Sequence, residues 1–261
     1  MRQIVYKSLQ SLRDISFQRK KTYICLREES LSQLSDIITK INHTTMNIRF
    51  TLFAAVAVFV SSCAQQPTTM KDAAKDRFLI GTALNEAQIR GIDTAGVRVV
   101  KEHFNAIVAE NCMKSQPIHP QRDRYNFDTA DRFVEFGLQN GITVTGHTLI
   151  WHSQLPRWFV YNDDGTLRSA EELKAIMKEH ISTVVGRYKG KGWDVVNEAI
   201  MEDGSYRRSP FYEILGEEFI PLAFQYAHEA DPDAELYYND YNMWAEGKRN
   251  TVVKLIGELR K

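Results

Sequence analysis

Trp193-Asp194-Val195-Val196-Asn197-Glu198-Ala199 opens as an apolar, β-branched run and closes on two polar side chains, Asn197 and Glu198. A Gly-rich basic segment, Lys189-Gly190-Lys191-Gly192, precedes it, and a polar loop, Glu202-Asp203-Gly204-Ser205, follows. This is the pattern of a buried parallel strand whose C-terminal end carries chemistry. A carboxylate beside an amide at such an end suits a proton donor whose neighbour fixes a substrate. The same residues also suit a helix N-cap made by Asn197 or Glu198. The rest of the chain has to decide between the two.

Upstream, Ser169-Ala170-Glu171-Glu172 forms a capping box, and the helix behind it puts Leu173, Ile176, Met177, His180, Ile181 and Val184 on one stripe. His180 on that stripe reads as a core histidine. Asp128 is expected to cap an earlier helix whose Ala130, Phe133, Val134, Gly137 and Leu138 share a face, with Gly141 as its stop. Ile142-Thr143-Val144-Thr145-Gly146 then reads as a strand running into His147-Thr148-Leu149-Ile150-Trp151-His152. Two further strands are predicted at 79–84 and 105–109, the second ending in Glu110-Asn111, with a helix over 92–104 between them. Downstream come one helix across 211–230, a strand over 234–240 ending in Asn239-Asp240, and a helix over 248–259.

Five strands alternating with helices argue for βαβ units and a parallel sheet. No Gly-x-Gly-x-x-Gly or Walker pattern follows any of them, which disfavours a nucleotide-binding doubly wound fold. Glu110, Asn111, His147, Trp151, His152, Asn197, Glu198, Asn239 and Asp240 all fall at strand ends. In a (β/α)8 TIM barrel those ends converge on one active face.

Across 261 residues, 33 basic and 33 acidic side chains cancel, so a nucleic-acid partner held by bulk positive charge is not expected. Three cysteines, Cys25, Cys63 and Cys112, are too few for a disulfide framework, and no Cys/His cluster has zinc spacing. Met46-Asn47-Ile48-Arg49, an apolar run over 50–60 and Ser61-Ser62-Cys63 make the three parts of an export signal. The apolar run is too short to span a bilayer. The Cys after two small residues resembles the lipobox of bacterial lipoproteins, which implies acylation at Cys63 and a cell-envelope location, in the outer membrane or periplasm. The expected layout is an upstream segment 1–45 outside the fold, with the true start expected at Met46, a signal peptide 46–63, a tether 64–76 and a folded domain 77–261.

The side chains gathered at the strand ends are aromatic, amide, carboxylate and imidazole. Amides and carboxylates make forked hydrogen bonds to vicinal hydroxyls, and Trp151 and Trp158 offer flat faces to sugar rings, so the face suits carbohydrate. A metal held by His147 and His152 is disfavoured, because five-residue spacing in an extended segment sends the two rings to opposite faces. No cofactor is implied. His147-Thr148-Leu149-Ile150-Trp151-His152-Ser153-Gln154-Leu155-Pro156, Glu110-Asn111-Cys112-Met113-Lys114 and the 193–198 stretch together resemble glycoside hydrolase family 10, the retaining endo-β-1,4-xylanases. The resemblance implies that Glu198 is the general acid/base and that Asn197 grips the sugar 2-hydroxyl. It also implies that Glu110, Asn111, Lys114, His147, Trp151, His152, Gln154 and Asn239 line a slot for xylan or xylo-oligosaccharides, with the protein a monomer.

The family carries its nucleophilic Glu late, in a Thr-Glu-hydrophobic-Asp setting, and this sequence has no such stretch. A complete barrel needs roughly 250 residues, so the predicted fold is a barrel truncated after about five βα units. Asp240 and Glu258 are poor substitutes for the nucleophile: the first matches another position and the second lies on a surface-type helix. The expectation is an enzyme whose present chain cuts little or no xylan. A glycan-binding lipoprotein and a β-1,4-glucanase of the same barrel type are the alternatives.

Overall fold

The computed structural model describes residues 4–6 and 69–260. The signal peptide, Cys63 and almost all of the 1–45 segment lie outside the described residues.

Six parallel strands form one sheet whose spatial order follows the sequence: β1 (Ile4–Tyr6), β2 (Leu79–Leu84), β3 (Ala106–Ala109), β4 (Thr143–Ile150), β5 (Gly192–Asn197) and β6 (Leu236–Asn239). A doubly wound sheet reverses its strand order at a switch point. This one never does, as in the arc of a (β/α)8 barrel. The five expected strands are β2 to β6, and β1 adds to them, pairing Ile4 with Leu79 and Tyr6 with Gly81 on the open edge of β2. An unpaired edge is a ready template for such pairing. Those three residues of the 1–45 segment therefore belong to the sheet.

Ten α-helices connect the described strands: α1 (Met70–Ala73), α2 (Glu86–Ile89), α3 (Thr94–His103), α4 (Ser115–Ile118), α5 (Asp128–Gln139), α6 (Arg157–Val160), α7 (Ala170–Arg187), α8 (Pro210–Leu215), α9 (Phe219–Ala230) and α10 (Glu246–Leu259). The tether ends earlier than expected. Thr69 caps α1, Ala74 behind it is buried, and Lys71 reaches the Lys101 carbonyl at 2.7 Å, so the tether gives way to packed structure near residue 69. Helix α7 is as expected, with the capping box formed and all six stripe residues buried. In α5 two expectations fail. Asp128 is the first helical residue rather than the cap, its carboxylate being taken by Arg90 at 3.1 Å. Leu138 is exposed. At about 100° per residue it lies well off the direction shared by Ala130, Phe133, Val134 and Gly137. The helix predicted across 211–230 is broken at Gly216, whose φ of +62° stops α8 before a 3-10 turn leads into α9.

The core lies between sheet and helices. All of β3 is buried, and Trp193 of β5 is fully enclosed. Trp193 lies directly on Gly146 of β4: a Cβ at that position would sit 2.2 Å from the indole ring. Of the two readings of the 193–199 stretch, the strand wins, because Asn197 ends β5 and a loop follows it. Among the described residues no helix is long and apolar enough to cross a membrane.

Candidate active site

Four successive strands end on the same side of the sheet, and each delivers polar residues there. Glu198 is the first residue past β5. Its φ of +56° is unfavourable for a side chain with a Cβ and persists only where the surroundings over-determine it. Here they do. Its N–H donates to the Asn239 carbonyl (2.9 Å), its carbonyl accepts from Arg207 Nε (2.7 Å), and its Oε2 accepts from Trp151 Nε1 (3.0 Å). Asn197 beside it is buried. Turned with its oxygen toward Trp151, the Asn197 amide accepts from the same indole N–H at 3.2 Å and donates to the Asn239 carbonyl at 3.1 Å.

Trp151 joins two walls. One is the Glu198–Asn197–Asn239 group. The other is built on β3 and the turn after β4: Asn111 Oδ1 accepts from Lys114 Nζ (3.0 Å) and from Gln154 Nε2 (3.1 Å), while the Lys114 ammonium lies 4.7 Å from the Trp151 ring centroid. Burial holds Lys114 below the usual lysine range, against the fields of Glu110 and Glu198. Glu110 itself is exposed and meets the group through that field.

The register of β4 shifts between His147 and Ile150, and that of β5 between Asp194 and Val196. Such irregularities re-aim side chains beside a site. The simple alternation used to separate His147 from His152 therefore fails, and both rings flank Trp151, at 6.3 and 5.8 Å between centroids. His147 Nδ1 is bonded to Asp194 Oδ2 at 2.9 Å, and no group of three metal-ligating side chains occurs among the described residues. Burial and the nearby Arg207 charge push His152 below the ordinary imidazole value.

Glu110, Asn111, Trp151, Asn197, Glu198 and Asn239 thus stand at the ends of their strands, His147 lies within β4, and Lys114, His152 and Gln154 lie on the segments that follow, with Glu110 the least engaged. Trp158, expected to offer a face to sugar, instead packs 4.6 Å from His119 and 5.2 Å from Phe159, partly buried against the hydrophobic core. Asp194, Arg207, Tyr238 and Lys248 were not singled out from the sequence. Each acts through a contact distant along the chain, for which no local pattern exists. The oxygens of Asp240 bond to Lys248 (2.8 Å) and Tyr238 (2.6 Å). Glu258 is exposed on α10.

The sequence model of glycosyl hydrolase family 10 matches residues 69–261. Endo-1,4-beta-xylanase A of Xylanibacter ruminicola is 52% identical over 203 residues, covering 77% of this chain and 55% of that protein. A beta-1,4-xylanase of Dictyoglomus thermophilum is 46% identical over 196 residues, 74% of this chain and 53% of that protein. The chain therefore spans about half the length of these relatives. Among solved structures, a GH10 endoxylanase from a sugarcane soil metagenome superposes with a TM-score of 0.71 at 46% identity, over 74% of this chain and 58% of that one. Xylanase 10B of Thermotoga petrophila RKU-1, solved with xylobiose, gives 0.69 at 42% identity, over 75% and 60%.

Proposed function

The chain belongs to glycosyl hydrolase family 10, and from that premise we propose that it takes an internal stretch of β-1,4-linked xylan across its strand ends, with Glu198 as the proton donor. The observation that carries this is the Glu198 carboxyl at the tip of β5, fixed by the Trp151 indole 3.0 Å away and flanked by the Asn197 amide. Asn197 grips the hydroxyl next to the bond to be cut. Asn111, Lys114 and Gln154 hold the sugars on the far side of Trp151, and His147, oriented by Asp194, with His152 and Asn239 completes the lining.

Retaining hydrolysis needs a second carboxylate about 5–5.5 Å from the first, to attack the anomeric carbon while Glu198 protonates the leaving oxygen. The candidates among the described residues are committed elsewhere or exposed: Asp240 to Lys248, Asp194 to His147, Glu258 to solvent. The 261-residue chain alone is accordingly expected to bind xylo-oligosaccharide and to cut little or no xylan. Calorimetry with xylotetraose and cellotetraose, beside a reducing-end assay on xylan, tests both parts. Preferential xylotetraose binding without new reducing ends is the expected result. Clear release of reducing ends by the purified chain overturns the missing-nucleophile reading. Equal binding of both sugars favours a β-1,4-glucanase, and binding of neither sinks the slot.

Export and lipid anchoring of a monomer through Cys63 belong to the same proposal, supported by the signal pattern at 46–63. Cys63→Ser is expected to move the protein from the membrane fraction to the soluble one; an unchanged membrane fraction would count against it.

A further inference from the structure

The loop that carries Glu198 is tied to a charge pair that the reaction does not use. Lys248 and Asp240 have side chains with no exposed surface, and their charges meet at 2.8 Å. Asp240 Oδ1 also accepts from the Tyr241 N–H (2.8 Å), and Lys248 Nζ also donates to the Tyr241 carbonyl (3.1 Å). The other oxygen of Asp240 accepts from the Tyr238 hydroxyl (2.6 Å) and the Ile200 N–H (3.4 Å), while the Tyr238 oxygen accepts from the Ala199 N–H (3.0 Å). The two peptide N–H groups immediately after Glu198 thus end, directly or through one hydroxyl, on Asp240. Burial and the Asp240 carboxylate push the Tyr238 hydroxyl far above its ordinary value, so it stays a donor.

Helix α10 fixes the other side of the same loop. The Lys248 N–H donates to the Glu202 carbonyl (3.2 Å), and Thr251 Oγ1 donates to the Gly204 carbonyl (2.9 Å). Gly247 lies so close that a Cβ there would stand 2.6 Å from the Asp203 carbonyl. A backbone at φ +56° needs such over-determination to keep its side chain aimed. A buried ion pair is a poor source of net stability but a strict geometric constraint, since losing one partner strands the other charge.

We propose that the buried Lys248–Asp240 pair, relayed by Tyr238, sets the aim of the Glu198 carboxyl, which makes Lys248, Asp240 and Tyr238 positioning residues of the site. The catalytic meaning rests on Glu198 being the proton donor; the mechanical link to Trp151 does not.

The four tryptophans give a direct readout in the full chain labelled with 15N at the indoles. Glu198→Ala identifies the Trp151 Nε1–H cross-peak and shows where it moves when its acceptor is lost. Lys248→Met is expected to shift that peak toward the Glu198→Ala position and to speed exchange of the Ala199 and Ile200 amides about tenfold. The enclosed Trp193 indole should stay in place. If Lys248→Met keeps the fold and the Trp151 peak does not move, the proposal is wrong.

Should that variant fail to fold, Asp240→Leu with Lys248→Met removes both charges together, a change that buried pairs often tolerate. A purely structural role then predicts recovery of the Trp151 peak along with the fold; a positioning role predicts recovery of the fold alone. Tyr238→Phe, which leaves the ion pair intact, should move the peak in the same direction by less, and its failure to do so also overturns the relay. The acid/base reading fails separately, if sugar binding and these shifts survive but xylan cleavage by any longer form is indifferent to Glu198→Gln.

Discussion

Two clusters of histidine and tryptophan stand close together in this chain, and they do opposite things. His119 and His180 are buried, with Tyr125 and Trp158 partly buried beside them, where α4, α6 and α7 meet, whereas His147, Trp151 and His152 stand toward the end of β4. In the first cluster His119 and His180 bond each other, while the Trp158 N–H is left without a partner. His119 Nε2 donates to the Arg122 carbonyl (3.1 Å), so its Nδ1 must accept from His180 Nδ1, 3.1 Å away. No carboxylate bonds to either ring. At the strand end, His147 has Asp194 and the Trp151 indole has Glu198. Both clusters contain the residue types of a sugar site. The carboxylate partners distinguish the group at the strand end.

Acid should separate the two most strongly. Burial drives His180 down to about 3, with the neighbouring His119 pushing the same way, and burial also lowers His119. Once unfolded, both rings take up protons near 6.5. Below that pH the unfolded chain therefore binds more protons than the folded one. Stability is expected to fall as pH drops from about 6.5 toward about 3, by up to about 1.4 kcal/mol per unit for His180 alone. At His119 the bond to the Arg122 carbonyl and the Glu179 and Asp123 charges partly oppose this, while the Arg122 guanidinium works with it. Below about pH 4 the ion-paired Asp131 and Glu179 add their own acid sensitivity, because their folded values lie below the usual carboxylate range. Urea melts at a series of pH values measure the slope, and His180→Gln should flatten it between about 6.5 and 4. An unchanged slope in that variant would mean that the enclosed histidines do not carry it.

The same contrast shows what the sequence made legible. The period of α7 and its capping box were local patterns, and they identified His180 as a core residue. The strand ends were legible because apolar runs stop at Glu110, Trp151, Asn197 and Asn239. What failed depends on tertiary contact. Trp158 looks like Trp151 in sequence, and only the packing of His119 and Phe159 around it assigns it to the core. Arg207 and Lys248 reach Glu198 and Asp240 across loops whose course no periodicity encodes. The bulges in β4 and β5 defeat the alternation rule where it was applied to His147 and His152. Helix 211–230 was read as continuous because its apolar spacing carries through Gly216, while the backbone turns there.

Exchanging each tryptophan for phenylalanine sharpens the comparison at smaller amplitude. Trp151→Phe keeps a ring under Lys114 but removes the N–H that Glu198 Oε2 accepts. A Glu198 carboxyl no longer held by that donor meets the sugar out of line, and a lost hydrogen bond of about 1–2 kcal/mol corresponds to roughly tenfold weaker xylotetraose binding. Trp158→Phe should behave differently. The Trp158 N–H is buried without a partner, so its removal relieves an unsatisfied donor, while the smaller ring loses contacts with His119 and Phe159. The two effects oppose each other, and the net change in stability should stay within about 1 kcal/mol, with sugar affinity unaltered. Calorimetry and urea melts on both variants decide it. If Trp158→Phe weakened sugar binding as much as Trp151→Phe does, the enclosed cluster would be part of the slot and the distinction between the two groups would be lost.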